Sequence, residues 1–148
     1  MEDVIKKLTN KNDKAAYKYA KKIAAESAKT NKYLKLIPDF SNMLQDDSSF
    51  VRSRFFILIC CQSKWANKKQ IEKVFSQMKP LLNDPKPTVV RQCLNALHEV
   101  VTYRPEMCRK IKNAISKIDL SIYKDSMKHL IKKDIDSLST FIKERKRD

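Results

Sequence analysis

Apolar residues recur along most of this chain at the three-to-four-residue spacing of one face of an α-helix. The pattern predicts helices over five ranges: 31–45, 66–82, 86–103, 105–118 and 122–145. No stretch of four or more residues alternates convincingly between apolar and polar positions, as a half-buried strand would. We therefore predict an all-α fold.

Short polar breaks separate the apolar patterns and carry residue types that begin helices. They are Asn12-Asp13, Asp46-Asp47-Ser48, Asn83-Asp84-Pro85 and Asp119. Side chains of Asp, Asn and Ser accept hydrogen bonds from the free N–H groups of a first helical turn, which contributes about 1 kcal/mol each. Connections this short favour antiparallel neighbours, as in a helical bundle or a solenoid.

Two segments of the chain repeat at a spacing of 39 residues, because Val51-Arg52 aligns with Val90-Arg91. A weaker copy lies 35 residues earlier, with Ala16 at the position of Val51. A period of this length that contains two helices is typical of an α-solenoid, in which each unit packs only against its neighbours. We predict one domain over 1–148 with four units, which lie near 1–29, 31–63, 66–103 and 105–145.

The repeated segments DDSSFVRSRFFIL (46–58) and NDPKPTVVRQCLNAL (83–97) share an acidic turn, then Val-Arg, then a Leu/Ile-rich helix. This pattern resembles a HEAT repeat, and the resemblance covers nearly the whole chain. It implies a right-handed α-solenoid of about three to four helical hairpins, whose second helices line the concave face. The run KPTVVRQCLNALHEVV (86–101) also resembles short bacterial HEAT-repeat proteins labelled SufBD protein, although the scaffolds that this label refers to are β-helical.

The amino-acid composition excludes several classes of function. The chain has 148 residues and no glycine, which excludes the glycine loops that bind phosphates and the nucleophile elbow of hydrolases. Lys and Arg number 32 against 17 Asp and Glu, for a net charge of +15. Such a charge attracts nucleic acid, anionic lipid or acidic proteins. Lys outnumbers Arg 25 to 7, however, and Arg is the residue that reads phosphates and bases bidentately.

The four cysteines stand at positions 60, 61, 93 and 108, without the spacing of a zinc site. Buried free thiols in a reducing compartment are the interpretation we favour. The N-terminal residues lack the apolar region of a secretory signal, and the longest apolar run, 55–61, is too short to span a bilayer. We predict a cytoplasmic protein with no metal, no cofactor and no membrane contact.

Some candidate residues have a structural interpretation. Arg52 and Arg91 occupy the repeat position that HEAT proteins usually fill with arginine, and each guanidinium could bind an acidic residue such as Asp47 or Asp84 in a neighbouring turn. Arg54 has no counterpart in the next repeat, where Cys93 stands. We therefore expect Arg54 to be the freest of the three arginines and a contact for a partner.

Other candidates are aromatic or lysine side chains. Tyr17, with Lys18, Lys21 and Lys22, forms an aromatic and basic segment that could bind single strands, or could be the polar outside of a capping helix. Trp65 in the break QSKWANKK either packs at a helix junction, which we favour, or contacts a partner. His98 near Cys93 lacks further ligands at a useful spacing, so we expect no metal or acid–base role.

The sequence thus favours a non-catalytic HEAT-like module that binds another macromolecule, most plainly a protein. Nucleic-acid binding through Lys-rich helices is the alternative, because of the net charge of +15. The excess charge falls on the N-terminal unit and on the first helices of later units, whereas 38–62 and 84–105 are nearly neutral. A HEAT-like DNA glycosylase is a distant third, since no residue here matches the groove motif of that family. The oligomeric state stays open.

Overall fold

A computed structural model describes residues 2–147 of the chain, and the side chains of 3–145. That range contains eight α-helices and no strand, which confirms the all-α prediction. The helices are α1 (Glu2–Leu8), α2 (Asp13–Ser27), α3 (Ile37–Ser41), α4 (Ser49–Cys60), α5 (Lys68–Met78), α6 (Pro87–Tyr103), α7 (Cys108–Ser116) and α8 (Asp125–Arg147). Residues 1 and 148 of the predicted domain lie outside the described residues.

The predicted helix over 31–45 is wrong in extent. A 3₁₀ turn at Leu34–Leu36 precedes α3, which has only five residues. Pro38 stands in the first turn of α3, where proline is tolerated, and the Ser41 hydroxyl donates to the Pro38 carbonyl at 2.7 Å. The same carbonyl also accepts the Asn42 N–H at 3.3 Å, and α3 ends at Ser41.

The helices pack in a regular order. α4 contacts α2, α3 and α6, and α6 contacts α4 and α8, so that the second helices of the predicted units (α2, α4, α6 and α8, called the second helices below) touch in succession. α4 is buried on almost all sides, and its Phe55 packs against Phe40 of α3 with ring centroids 5.5 Å apart. The hydrophobic core therefore lies around α4 and α6. The side of the second helices that faces away from this core is exposed to solvent, and we call it the outer face of the second helices.

The same turn precedes α2, α4, α6 and the 3₁₀ turn before α8. In each case an Asn or Asp side chain accepts the backbone N–H two residues later, which is an Asx turn. The pairs are Asn10 with Asn12, Asp46 with Ser48, Asp84 with Lys86 and Asp119 with Ser121, at 2.9–3.0 Å. One local geometry thus recurs four times along the described residues, and the polar breaks in the sequence are its signal.

Two of the predicted helix starts carry the N-cap expected of them. Asn12 accepts from Ala15 N at 3.1 Å and Ser48 accepts from Val51 N at 3.4 Å. The prediction that Asp84 caps α6 is wrong, because α6 begins at Pro87 and its N-cap position, Lys86, makes no side-chain cap bond. Asp84 lies two residues before that position, and its carboxylate is engaged elsewhere.

Candidate functional site

A groove runs between α2 and α4 on the outer face of the second helices. Its volume is about 360 Å³. From α2 it is lined by Tyr17, Ala20 and Ala24, and from α4 by Phe50, Ile57 and Leu58. The two alanines carry only a methyl group and therefore leave space above α2. Side chains of α4 form the opposite wall of this space. We call this depression the α2–α4 groove.

Two aromatic side chains stand at the groove with most of their surface in water. Tyr17 is 57% exposed and Phe50 is 62% exposed. A large apolar side chain left in water gains nothing from folding, since its stabilisation comes from burial at about 25 cal/mol per Å². Exposed aromatics that flank an apolar depression are typical of surfaces that bind another molecule.

Arg54 is not free, and the prediction that it is the freest of the three arginines is wrong. It is 7% exposed, and its Nη1 donates to the Leu8 carbonyl at 2.8 Å while Nη2 donates to Asp13 Oδ1 at 2.6 Å. Leu8 ends α1, where a helix leaves carbonyls without intrahelical partners, and the guanidinium satisfies this one. Arg54 therefore forms part of the groove wall and fixes α1 and α2 to α4.

The lysines of α2 differ in their position relative to the groove. Lys21 lines the groove, and its ammonium group lies 5.5 Å from the centre of the Tyr17 ring, a cation–π distance. Lys18 and Lys22 are exposed on the same helix but do not line the groove. Of the predicted contact residues, the structure brings together Tyr17, Lys21 and Arg54.

Trp65 lies at the other end of the second helices, away from the groove. Its indole N–H donates to the Ser27 carbonyl at 2.7 Å, and the neighbouring Lys64 ammonium donates to the Ala28 carbonyl at 2.9 Å. Both acceptors lie at the C-terminal end of α2, where carbonyls lack helical partners. Arg104 makes the equivalent bond from the end of α6 to the carbonyl of Ala66. Trp65 thus joins the segment after α4 to the C-terminal end of α2, and its packing role stays a prediction.

The two repeat arginines bind carboxylates on later parts of the chain. Arg52 donates from Nε and Nη2 to both Asp84 oxygens, at 2.8 and 2.9 Å, and from Nη1 to the carbonyls of Asp46 and Asp47. The bond to Asp84 raises the pKa of Arg52. Asp47 therefore binds Arg52 through its backbone carbonyl and not through its carboxylate.

Arg91 binds Asp134 of α8, with Nε donating at 2.7 Å. The hydrogen bond to Asp134 raises the pKa of Arg91. Asp134 is thus paired across the helix interface, with Arg91 of α6. Both arginines link parts of the chain that are far apart in sequence.

Comparison with known protein families matches residues 29–148 to the family described as non-SMC mitotic condensation complex subunit 1. The chain belongs to this family. No curated protein and no solved structure matches it. The matched region begins after α2, so the α2 wall of the groove lies outside it, whereas Phe50 and the rest of α4 lie within it. The match gives the SufBD label no support.

The cysteines lie mostly inside the fold. Cys60 and Cys93 are buried free thiols, as predicted, and burial raises the pKa of Cys61 to about 11. A thiol is nucleophilic as its thiolate, and burial disfavours the thiolates of Cys60, Cys61 and Cys93 because it raises the pKa of each. Among the described side chains, no cluster of three or more His, Cys, Asp or Glu residues could hold a metal ion.

One further finding concerns the helices themselves. None of the helices within residues 2–147 is both long and apolar enough to cross a bilayer.

His98 of α6 supplies a pH-dependent contribution to the stability of this family member. Its ring lies against Phe141 of α8, with centroids 4.9 Å apart, and burial lowers its pKa from 6.5. The unfolded chain therefore takes up the proton more readily, so stability falls as the pH drops below about 6.5. We expect the urea midpoint to fall between about pH 7.5 and about pH 5.5 by more in the wild type than in His98→Gln.

The exposed His129 of α8 provides the matched control. His129→Gln should retain the pH dependence of the wild type, since its ring contributes little packing. Equal shifts in the wild type and in His98→Gln would show that the contact with Phe141 does not favour the neutral imidazole.

Proposed function

We propose that this protein is a non-catalytic scaffold that binds another protein along the outer face of its second helices. The observation that carries the proposal is the α2–α4 groove with its exposed aromatic pair, Tyr17 and Phe50. In this proposal the four hairpins stack as a right-handed α-solenoid, the arrangement that the HEAT resemblance implies. The successive contacts of the second helices and the recurring Asx turn support it.

The polar contacts of the candidate residues also favour a scaffold. Arg52, Arg54 and Arg91, which could otherwise bind a substrate phosphate, each bind a carboxylate of the chain. Each pair joins distant segments, so the guanidinium groups stabilise the arrangement of the helices. The family is named for a subunit of a complex, which is the setting in which a scaffold has protein partners.

Nucleic-acid binding is the second candidate, and the lysines favour it. Within residues 3–145, carboxylate partners are present for only three lysines, Lys32, Lys68 and Lys110. Lys64 donates to the Ala28 carbonyl, and most of the other lysine side chains are exposed, where they could neutralise phosphates. The exposed strip of α6 (Gln92, Asn95 and Glu99) carries no lysine, which argues against a nucleic-acid groove along the second helices.

The proposal predicts that the native protein resides in an assembly that survives nuclease treatment. The chain has a mass of 17.3 kDa. On size-exclusion chromatography of nuclease-treated native extract, we expect it to elute well above that mass, together with a stoichiometric partner protein. Elution as a free monomer after nuclease treatment would contradict the proposal.

Titration with oligonucleotides is the second arm of this test. For a protein-binding scaffold, the dissociation constant for single- and double-stranded DNA at physiological salt should be no tighter than about 10⁻⁴ to 10⁻⁶ M, the non-specific range. Submicromolar affinity that disappears when Lys14, Lys18, Lys21 and Lys22 are replaced by Gln would favour nucleic acid instead. The slope of affinity against salt concentration would then count the phosphates contacted.

A further inference from the structure

The α2–α4 groove has the form of a site for an apolar side chain. Phe50 stands in the first turn of α4 and is 62% exposed, although the rest of that helix is almost entirely buried. Tyr17 stands on α2, on the other side of the groove, and is 57% exposed. An aromatic or aliphatic side chain placed between these two rings would remove apolar surface of all three groups from water.

The size of the groove limits what can occupy it. Its volume of about 360 Å³ is at the lower end of ligand-binding depressions, which range over about 300–1,000 Å³. The groove is open along the helices and its floor is apolar, with Ala20, Ala24 and Leu58. It therefore suits one or two side chains of an extended or helical segment.

The α2 side of the groove carries an excess of positive charge. Lys21 lines the groove, while Lys14 and Lys18 stand exposed elsewhere on α2, and no described carboxylate lies within ion-pair distance of these three lysines. The one acidic residue that lines the groove, Asp13, is neutralised by the Arg54 guanidinium at 2.6 Å. The α2 side of the groove is therefore positively charged and attracts an acidic segment.

The opposite end of the same face has a different charge. The depression between α6 and α8 is lined by Asp136 and Glu144 with a single lysine, Lys133. An acidic segment laid along the second helices would be repelled there, while the uncharged Gln92 and Asn95 separate the two ends. The charge distribution thus directs an acidic ligand to the α2–α4 groove and not to the whole face.

We infer that the α2–α4 groove binds an acidic segment of a partner protein, which inserts an aromatic or aliphatic anchor between Tyr17 and Phe50. This inference rests on the proposed function and names the chemistry of the partner. The anchor supplies apolar burial, and the lysines of α2 steer the acidic flanks to the groove. Because α2 lies before residue 29, this half of the site is outside the region matched to the family.

The test maps the occupant of the groove in the native assembly. Phe50 is replaced by the photoreactive amino acid benzoylphenylalanine, and the cross-linked product is sequenced after irradiation. Replacement of Ile122 by the same amino acid is the matched control, because Ile122 is 54% exposed and lies far from the groove in the turn before α8. We expect position 50 to cross-link to a partner segment rich in Asp and Glu around an apolar residue, and position 122 not to.

A binding measurement follows with the cross-linked segment made as a labelled synthetic peptide. The double variant Tyr17→Ser/Phe50→Ser should bind it at least about tenfold more weakly, which corresponds to about 1.4 kcal/mol, whereas Ile122→Ser should bind as the wild type does. The triple variant Lys14→Gln/Lys18→Gln/Lys21→Gln should weaken binding at low salt more than at high salt. All substituted side chains are exposed, so unchanged far-UV circular dichroism should confirm folding.

Each of the following outcomes would contradict the inferred occupant of the α2–α4 groove. A cross-link from position 50 to nucleic acid, to a second copy of this chain or to a basic segment would show a different occupant. An intact assembly without any cross-link from position 50 would place the partner on another surface, and the proposed scaffold function would stand. Absence of any protein assembly would overturn both the scaffold function and this site.

Discussion

Replacement of Phe55 by Ala is expected to lower the free energy of unfolding by about 3–5 kcal/mol. Phe55 lies in the middle of α4, has no exposed surface, and packs against the Phe40 ring at 5.5 Å. α4 contacts α2, α3 and α6, so the cavity would open where three helices meet. Urea unfolding followed by far-UV circular dichroism measures the change, since the signal reports all the helices.

Phe50 of the same helix is the matched control for this substitution. It is 62% exposed, so Phe50→Ala should change the free energy of unfolding by less than about 0.5 kcal/mol. A similar loss for both variants would show that α4 is not enclosed as the structure has it. A loss below about 1 kcal/mol for Phe55→Ala would show that the neighbouring helices can close the cavity.

The helices with a clear apolar face could be predicted from sequence. The predicted range 86–103 differs from α6 (Pro87–Tyr103) by one residue, because its apolar positions face α4 and α8 and its outer positions are polar. The range 31–45 has equally regular apolar spacing, yet it forms a 3₁₀ turn and the five-residue α3 instead of one long helix. Spacing thus predicts which side chains are buried better than it predicts where a helix stops.

The candidate site was harder to predict, because its contacts join residues far apart in sequence. Nothing near Arg54 in the chain indicates that the Leu8 carbonyl and Asp13 are its partners. Phe50 was missed for a different reason. Most positions of α4 are buried, and the helix therefore has no clear polar face. Without a polar face, the sequence pattern does not indicate which of its aromatic residues is exposed.

Replacement of Asp84 by Ala is expected to lower the free energy of unfolding by about 2–4 kcal/mol. The carboxylate is 5% exposed and accepts two bonds from Arg52, at 2.8 and 2.9 Å, and one from the Lys86 N–H at 2.9 Å. Without it, a guanidinium that is only 14% exposed would lose its counter-charge and the Asx turn before α6 would lose its acceptor. Urea unfolding of the variant measures this loss.

The Arg91–Asp134 pair is the matched control, because the chemistry is the same and the exposure is greater. Its side chains are 38% and 24% exposed, so Asp134→Ala should cost only about 0.5–1 kcal/mol. The double variant Arg52→Leu/Asp84→Leu should recover part of the loss, since it removes the uncompensated charge as well as the pair. Equal losses for Asp84→Ala and Asp134→Ala would mean that neither the burial of the first pair nor the Asx turn before α6 adds measurably to the free energy of unfolding, and that the order of the helices is fixed by their apolar contacts.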